Sequence, residues 1–253
     1  MLHWLIYLGG GLLSGGVNSI AGGGSLFLFP LLIGLGLPPI RANTTMGLIV
    51  QPGTLASVIG ARQTLQGVPK YYYLLLIPMF FGGLAGAVIL LDSSPKSFEQ
   101  IAPVLMLVAI ILLLFQDKIH SLLYNPRKKH RHYPLVLGML VLVLILVAVY
   151  GGYFGAGFGI ITLGLFGLTK LKDIQQMNTL KNIAGVVTGV ADSGYFIAHH
   201  VIDWHILPLF VVGNIVGGYY TALYSTRLPT KTLRKIIIVI AIVLTAYLFY
   251  KYH

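Results

Sequence analysis

The chain has 253 residues, 57% of them hydrophobic and only 9% charged, with a mean hydropathy of +0.86. Ordinary soluble domains carry about 25% charged residues, so this composition excludes a soluble globular protein and a disordered one. The net charge is +11, but the basic residues sit between apolar runs, where they act as orientation signals and not as a nucleic-acid surface.

Apolar stretches occur at 2–20, 25–37, 43–61, 71–91, 101–116, 133–150, 158–168, 175–198, 205–224 and 236–250. They are continuous and helix-length, unlike the alternating strands of an outer-membrane barrel. The first 20 residues lack a basic leader and read as a span of the protein itself. Two stretches, 25–37 and 158–168, are short for a bilayer of ~30 Å. Each follows a glycine cluster, Gly22-Gly23-Gly24 in one case and the run from Gly155 to Gly159 in the other.

These two broken pairs are equivalent. A shift of 135 residues places Gly16 on Gly151, Gly22 on Gly157, Gly24 on Gly159, Asn43-Thr44 on Asn178-Thr179, Gly82-Gly83 on Gly217-Gly218 and Lys96 on Lys231. The chain therefore reads as a duplication: a first repeat over 1–117, a basic linker over 118–132 and a second repeat over 133–253. Counting each broken pair as one crossing spreads the basic residues evenly over both sides. Letting each pair enter and return puts 13 of them inside and three (Arg41, Lys96, Lys251) outside, with Lys181 within a span. That bias favours inverted repeats, a cytoplasmic linker and both termini outside. The expected fold is an all-α polytopic membrane protein. It has two inverted-topology repeats, each a Gly-broken helix pair plus three transmembrane helices. Trp4, Tyr71 to Tyr73, Tyr133, Trp204, Tyr250 and Tyr252 fit an interfacial belt.

Irregular backbone at membrane depth belongs where it lines a cavity. Short helices starting near Ser25 and Ile160 would offer free N–H groups and a positive dipole end to an anion. The expected substrate-binding set is Gly22, Gly23, Gly24, Ser25, Asn43, Thr44, Gly157, Gly159, Asn178, Thr179 and Lys181, with Asn18, Gln51, Thr162 and Asn182 behind them. The glycines could instead serve close packing, and Asn and Thr could cross-link helices. Lys181 is an ionisable group about two turns into its span, which is a functional position by default unless the side chain snorkels to the inner interface. Asp192 shares its helix face ~16 Å away and is a candidate either to carry a coupling proton or to pair with another helix. His199, His200, Asp203 and His205 follow no metal spacing. The absence of Cys removes thiol chemistry, and six carboxylates offer no catalytic set. No enzyme activity, cofactor or metal is expected.

The segments AGGGSLFLFP (21–30), RANTT (41–45), GGYFGAGFGI (151–160), VIDW (201–204) and RLPTKTLRKI (227–236) resemble the sulfite exporter TauE/SafE family, also called the toluene sulfonate uptake permease family. In the second repeat GAGFG replaces a triple-glycine turn, and Leu165 stands where Pro30 stands in the first. The resemblance implies a prokaryotic inner-membrane, multi-pass transporter of small anions such as sulfite or organosulfonates. The expectation is an alternating-access exporter with its substrate at the repeat interface; an anion or small-solute channel is the alternative. The partners implied are the anion and the lipid bilayer, with no nucleic acid and with a homo-oligomer left open.

Overall fold

Backbone in a bilayer has no water to bond, so a spanning segment must satisfy its own amides, as helices do. The computed structural model of the chain describes residues 2–115, 118, 133–169, 171, 173–224 and, in part, 238–250. Among the described residues are ten α-helices with defined bounds, further helical residues within 238–250, a 3₁₀ turn at Arg62–Leu65 and no strand. In chain order they are α1 Leu2–Ala21, α2 Gly24–Gly34, α3 Pro39–Gly60, α4 Tyr71–Leu74, α5 Ile77–Asp92, α6 Pro95–Leu114, α7 Tyr133–Tyr153, α8 Phe158–Phe166, α9 Ile174–Ala198 and α10 Leu207–Leu223. Nearly all of the linker 118–132, Lys170, Lys172, the segment 227–236 and Lys251 lie outside the described residues.

The helices fall on the expected apolar stretches with two departures. The run Tyr71–Asp92 is interrupted after Leu74, where Pro78 sits in the first turn of the helix that follows and brings no N–H of its own. Helix α6 begins six residues before the apolar run, because Ser94 caps it by accepting the Ser97 N–H at 3.1 Å and Pro95 starts it.

The two interruptions expected at the glycine clusters are present. Helix α1 ends at Ala21 and α2 restarts at Gly24; α7 ends at Tyr153 and α8 restarts at Phe158. Gly22 (φ +73°) and Gly157 (φ +83°) adopt left-handed backbone that a Cβ would strain.

Helix packing follows the small residues. Helix α1 lies on α10, where a Cβ on Gly11, Gly15 or Gly217 would meet the partner's backbone; α7 lies on α5 through Gly82, Gly86 and Gly152 in the same way. The 135-residue offset carries α1 onto α7 and α5 onto α10, so these are equivalent contacts. Helix α3 in turn packs on α10 and α9 on α5, and α3 and α9 meet each other. Two apolar clusters result. One holds Phe29 in edge contact with both Phe98 and Phe154, and the other holds Leu140, Leu144, Phe166 and Met177. Large apolar side chains such as Leu5, Phe81, Leu142 and Val212 remain half exposed on the outside, as a lipid-facing surface requires. Trp4, Trp204 and Tyr250 are exposed as an interfacial belt would have them, whereas Tyr72 is buried in the second cluster.

Candidate functional site

The meeting of α3 and α9 leaves a cavity of about 80 Å³, space for a few waters or one small ligand. Helix α9 contributes Lys181, Asn182, Gly185, Thr188, Gly189 and Asp192, and α3 contributes Met46, Gly47, Val50, Gln51 and Thr54. Both sets step by one and three residues, so each is a single helix face. The offset superposes Met46 on Lys181, Gly47 on Asn182, Val50 on Gly185 and Thr54 on Gly189. One wall thus carries a charge and an amide where the other carries a thioether and no side chain. Asn18, Ser25, Gly151, Gly155, Phe158 and Gly159 close the space from the two broken pairs.

The two breaks touch. A Cβ on Gly22 would lie 2.8 Å from Gly159 Cα, and one on Gly159 equally close to Gly22 Cα. Lys181 runs past this junction: its Cδ is 3.4 Å from the Cβ position of Gly159, and its Nζ donates to the Asn18 carbonyl at 3.0 Å. The residue is only 2% exposed, and among the described residues its hydrogen-bond partner is that neutral carbonyl. Asp192 is also buried and accepts from the Ser193 hydroxyl at 3.0 Å. Asn18 Nδ2 donates to Thr54 Oγ1 at 3.0 Å, and Gln51 Nε2 to the Gly185 carbonyl at 3.3 Å. Among the described residues, Gln51 Oε1 and Thr188 Oγ1 are buried without partners.

The helix tips are partly used. The Leu26 N–H goes to the Gly23 carbonyl, Phe158 to Gly155 and Ile160 to Gly157. Ser25, Phe158 and Gly159 are the tip residues that line the cavity. Of the expected binding set, then, Ser25, Gly159 and Lys181 line it, and so do Asp192, Asn18, Gln51 and Asn182.

The remaining members of the set do not line the cavity. Gly22, Gly23, Gly24 and Gly157 build the turns around it. Asn43 Nδ2 donates to the Tyr153 carbonyl at 3.0 Å, and Asn178 Nδ2 to the Ser19 carbonyl at 2.9 Å. Each acceptor lies in the last turn of a helix that stops at a break, where carbonyls have lost their intrahelical partners. Thr44 Oγ1 donates to the Val201 carbonyl at 2.7 Å, and Thr45 Oγ1 accepts the Asp203 N–H at 3.0 Å. Thr179 donates to the Gln175 carbonyl at 2.9 Å and lies 2.8 Å from Thr64 Oγ1. Thr162 Oγ1 is returned to the Phe158 carbonyl. Asp203 Oδ1 accepts the His205 and Ile206 N–H groups, and no metal-holding group is found among the described residues.

Thr54, Thr188, Gly185, Gly189, Met46, Val50 and Phe158 were not anticipated. The signal for most of them was available: continuing the Lys181–Asp192 face in steps of three and four passes through Gly185, Thr188 and Gly189. A second hollow of about 200 Å³ beside Arg62, Gln63 and Thr64 contains none of the expected residues.

An all-helical membrane chain with interrupted helices around an interior cavity, lined by a buried lysine, is of the transporter class. The chain belongs to the sulfite exporter TauE/SafE family, whose model matches residues 7–248. It is 25% identical over 236 residues to a "Probable membrane transporter protein" of Haemophilus influenzae, covering 92% of this chain and 89% of that one. It is likewise 25% identical over 249 residues to "Probable membrane transporter protein YfcA" of Escherichia coli K12, covering 96% and 88%. The "Probable membrane transporter protein ORF9" of a Sinorhizobium species is 24% identical over 245 residues, covering 92% and 87%. No solved structure matches the chain. The protein is a multi-pass membrane transporter, not an enzyme.

Proposed function

We propose that the protein exports a small anion, sulfite or an organosulfonate, across a prokaryotic inner membrane by alternating access. Two repeats, 1–117 and 133–253, are inverted about the membrane plane and joined by the cytoplasmic linker 118–132. Substrate sits between them, against Lys181, Ser25 and the Gly159 amide, while Asn43, Asn178, Thr44 and Thr179 hold the surrounding helices. Asp192 carries a coupling proton, so that anion and proton share one cavity. Rocking of one repeat against the other exposes that cavity to each side in turn.

The observation that carries this reading is Lys181, a buried lysine whose amino group donates to a neutral carbonyl at the junction of both breaks. In its protonated form such a group attracts an anion at a place where little water competes for it. The family's description supports sulfite as the substrate class, and the equivalent packing of α1 on α10 and α7 on α5 supports the duplication.

The test is flux in liposomes. Purified protein is expected to move sulfite or methanesulfonate with saturation, and to be accelerated by substrate on the trans side, which a pore would not show. Lys181→Met is expected to abolish that flux. Absence of any anion movement, or Lys181→Met flux equal to the parent's, would remove the proposal.

A further inference from the structure

Three side chains of α9 converge on the cut end of α1. Asn178 Nδ2 reaches the Ser19 carbonyl at 2.9 Å, Lys181 Nζ the Asn18 carbonyl at 3.0 Å, and Asn182 Nδ2 the Ser19 carbonyl at a longer 3.4 Å. Positions i, i+3 and i+4 share a helix face, so one stripe of α9 supplies donors to the Ser19 carbonyl, which the break leaves without a backbone partner among the described residues, and adds a second donor to the Asn18 carbonyl, which also accepts the Gly22 N–H at 3.2 Å. The other break is held differently. At the positions equivalent to Asn178, Lys181 and Asn182 stand Asn43, Met46 and Gly47. Only Asn43 can donate, and it takes the Tyr153 carbonyl; the Tyr150 hydroxyl adds a bond to the Ala156 carbonyl.

The two breaks are therefore clamped unequally, and only the first clamp contains a group that also faces the cavity. We infer that Asn178, Lys181 and Asn182 form a substrate-sensitive clamp: Asn178 and Asn182 are positioning residues that hold α1, and Lys181 is shared between the Asn18 carbonyl and the transported anion. An anion is a stronger partner for an ammonium than a neutral carbonyl. Arrival of substrate draws Lys181 away and leaves the Asn18 carbonyl on the Gly22 N–H and the Ser19 carbonyl on the two amides. The second break, held by uncharged groups alone, does not respond. Substrate occupancy is thus passed to the first broken pair before the second. This inference rests on the anion site proposed above.

The experiment follows backbone hydrogen exchange along the full chain in lipid nanodiscs, with sodium sulfite or sodium methanesulfonate as probe and a thermal-shift titration reporting binding. Saturating anion is expected to raise exchange over 15–26 and to leave 150–161 unchanged. Asn178→Ala and Asn182→Ala are expected to raise exchange over 15–26 without any anion. Asn178→Ala, whose side chain lies outside the cavity lining, should leave KM for flux within about twofold and lower kcat about tenfold, the effect of losing one positioning hydrogen bond. Asn178→Asp, which keeps size and loses the donor, serves if the alanine variant fails to fold. Equal responses of the two breaks to a bound anion would overturn the inference. So would a rise in KM at Asn178→Ala with exchange unchanged, which would make that amide a substrate contact. If neither anion binds, the anion-site proposal fails instead, while exchange in the ligand-free variants still reads the clamp.

Discussion

At the residue scale, Lys181 and Gly22 are the positions where one change has a computable consequence. Lys181→Met makes the second repeat match the first at Met46 and keeps most of the stem that packs beside Gly159. The variant is expected to fold, shown by an unchanged elution profile in detergent, and to lose anion-dependent thermal stabilisation. Lys181→Arg should retain part of it, because the charge remains while the planar head fits the Asn18 carbonyl differently. Gly22→Ala combines left-handed backbone with a Cβ 2.8 Å from Gly159 Cα. A destabilisation of about 2 kcal/mol or more is expected, read from thermal unfolding, and an unaltered melting temperature would show that the junction can open at no cost. Lys181 and Asp192 were legible in the sequence as ionisable groups within an apolar span. Asn43 and Asn178 were legible as important, but their role was not. An amide at a helix start has equal chemistry for an anion and for a carbonyl, and only the fold reveals that each lies beside a cut helix end in the opposite half.

At the scale of elements, the breaks decide what the neighbouring helices must supply. A helix that stops inside a bilayer leaves carbonyls that no water can reach. The chain meets this with side chains from α3 for the α7 end and from α9 for the α1 end. Asn43→Ala should then cost about 1 kcal/mol of stability, and its effect on hydrogen exchange should appear over 150–161, far along the chain from the substitution. An effect confined to α3 would show that the Tyr153 carbonyl finds another donor. Sequence periodicity located these helices well because lipid-facing and buried sides are both apolar and the runs are long. It missed the start of α6, where the first turn (PKSFEQ) is polar and the signal lay in Ser94 and Pro95. It also read 71–91 as unbroken, although Pro78 was visible. The facing stripes of α3 and α9 were readable from spacing, but their juxtaposition depends on contacts more than a hundred residues apart along the chain.

At the scale of the whole molecule, the two proposals about orientation and coupling are linked. The basic residues favour a cytoplasmic linker and outward termini, which is possible only if the repeats are inverted. The native lack of cysteine makes this directly testable: a cysteine placed at Ser121 should react with a membrane-impermeant maleimide only in inside-out vesicles, and one placed at His3 only in right-side-out vesicles. Reaction of both from the same side would make the repeats parallel, and the cavity could no longer be exposed alternately by a symmetric exchange of shapes. Asp192 lies on the α9 wall toward the end of that helix, while Lys181 lies on the same wall near its start. The charged groups lining the cavity are these two, with the Ser193 hydroxyl on the carboxylate. If Asp192 carries the coupling proton, a pH gradient should drive anion accumulation in the parent protein. Asp192→Asn should retain anion exchange between the two sides and lose that accumulation, because the neutral amide cannot release a proton. Accumulation that persists in Asp192→Asn would place the coupling elsewhere, and loss of exchange as well would make the carboxylate part of the binding surface itself.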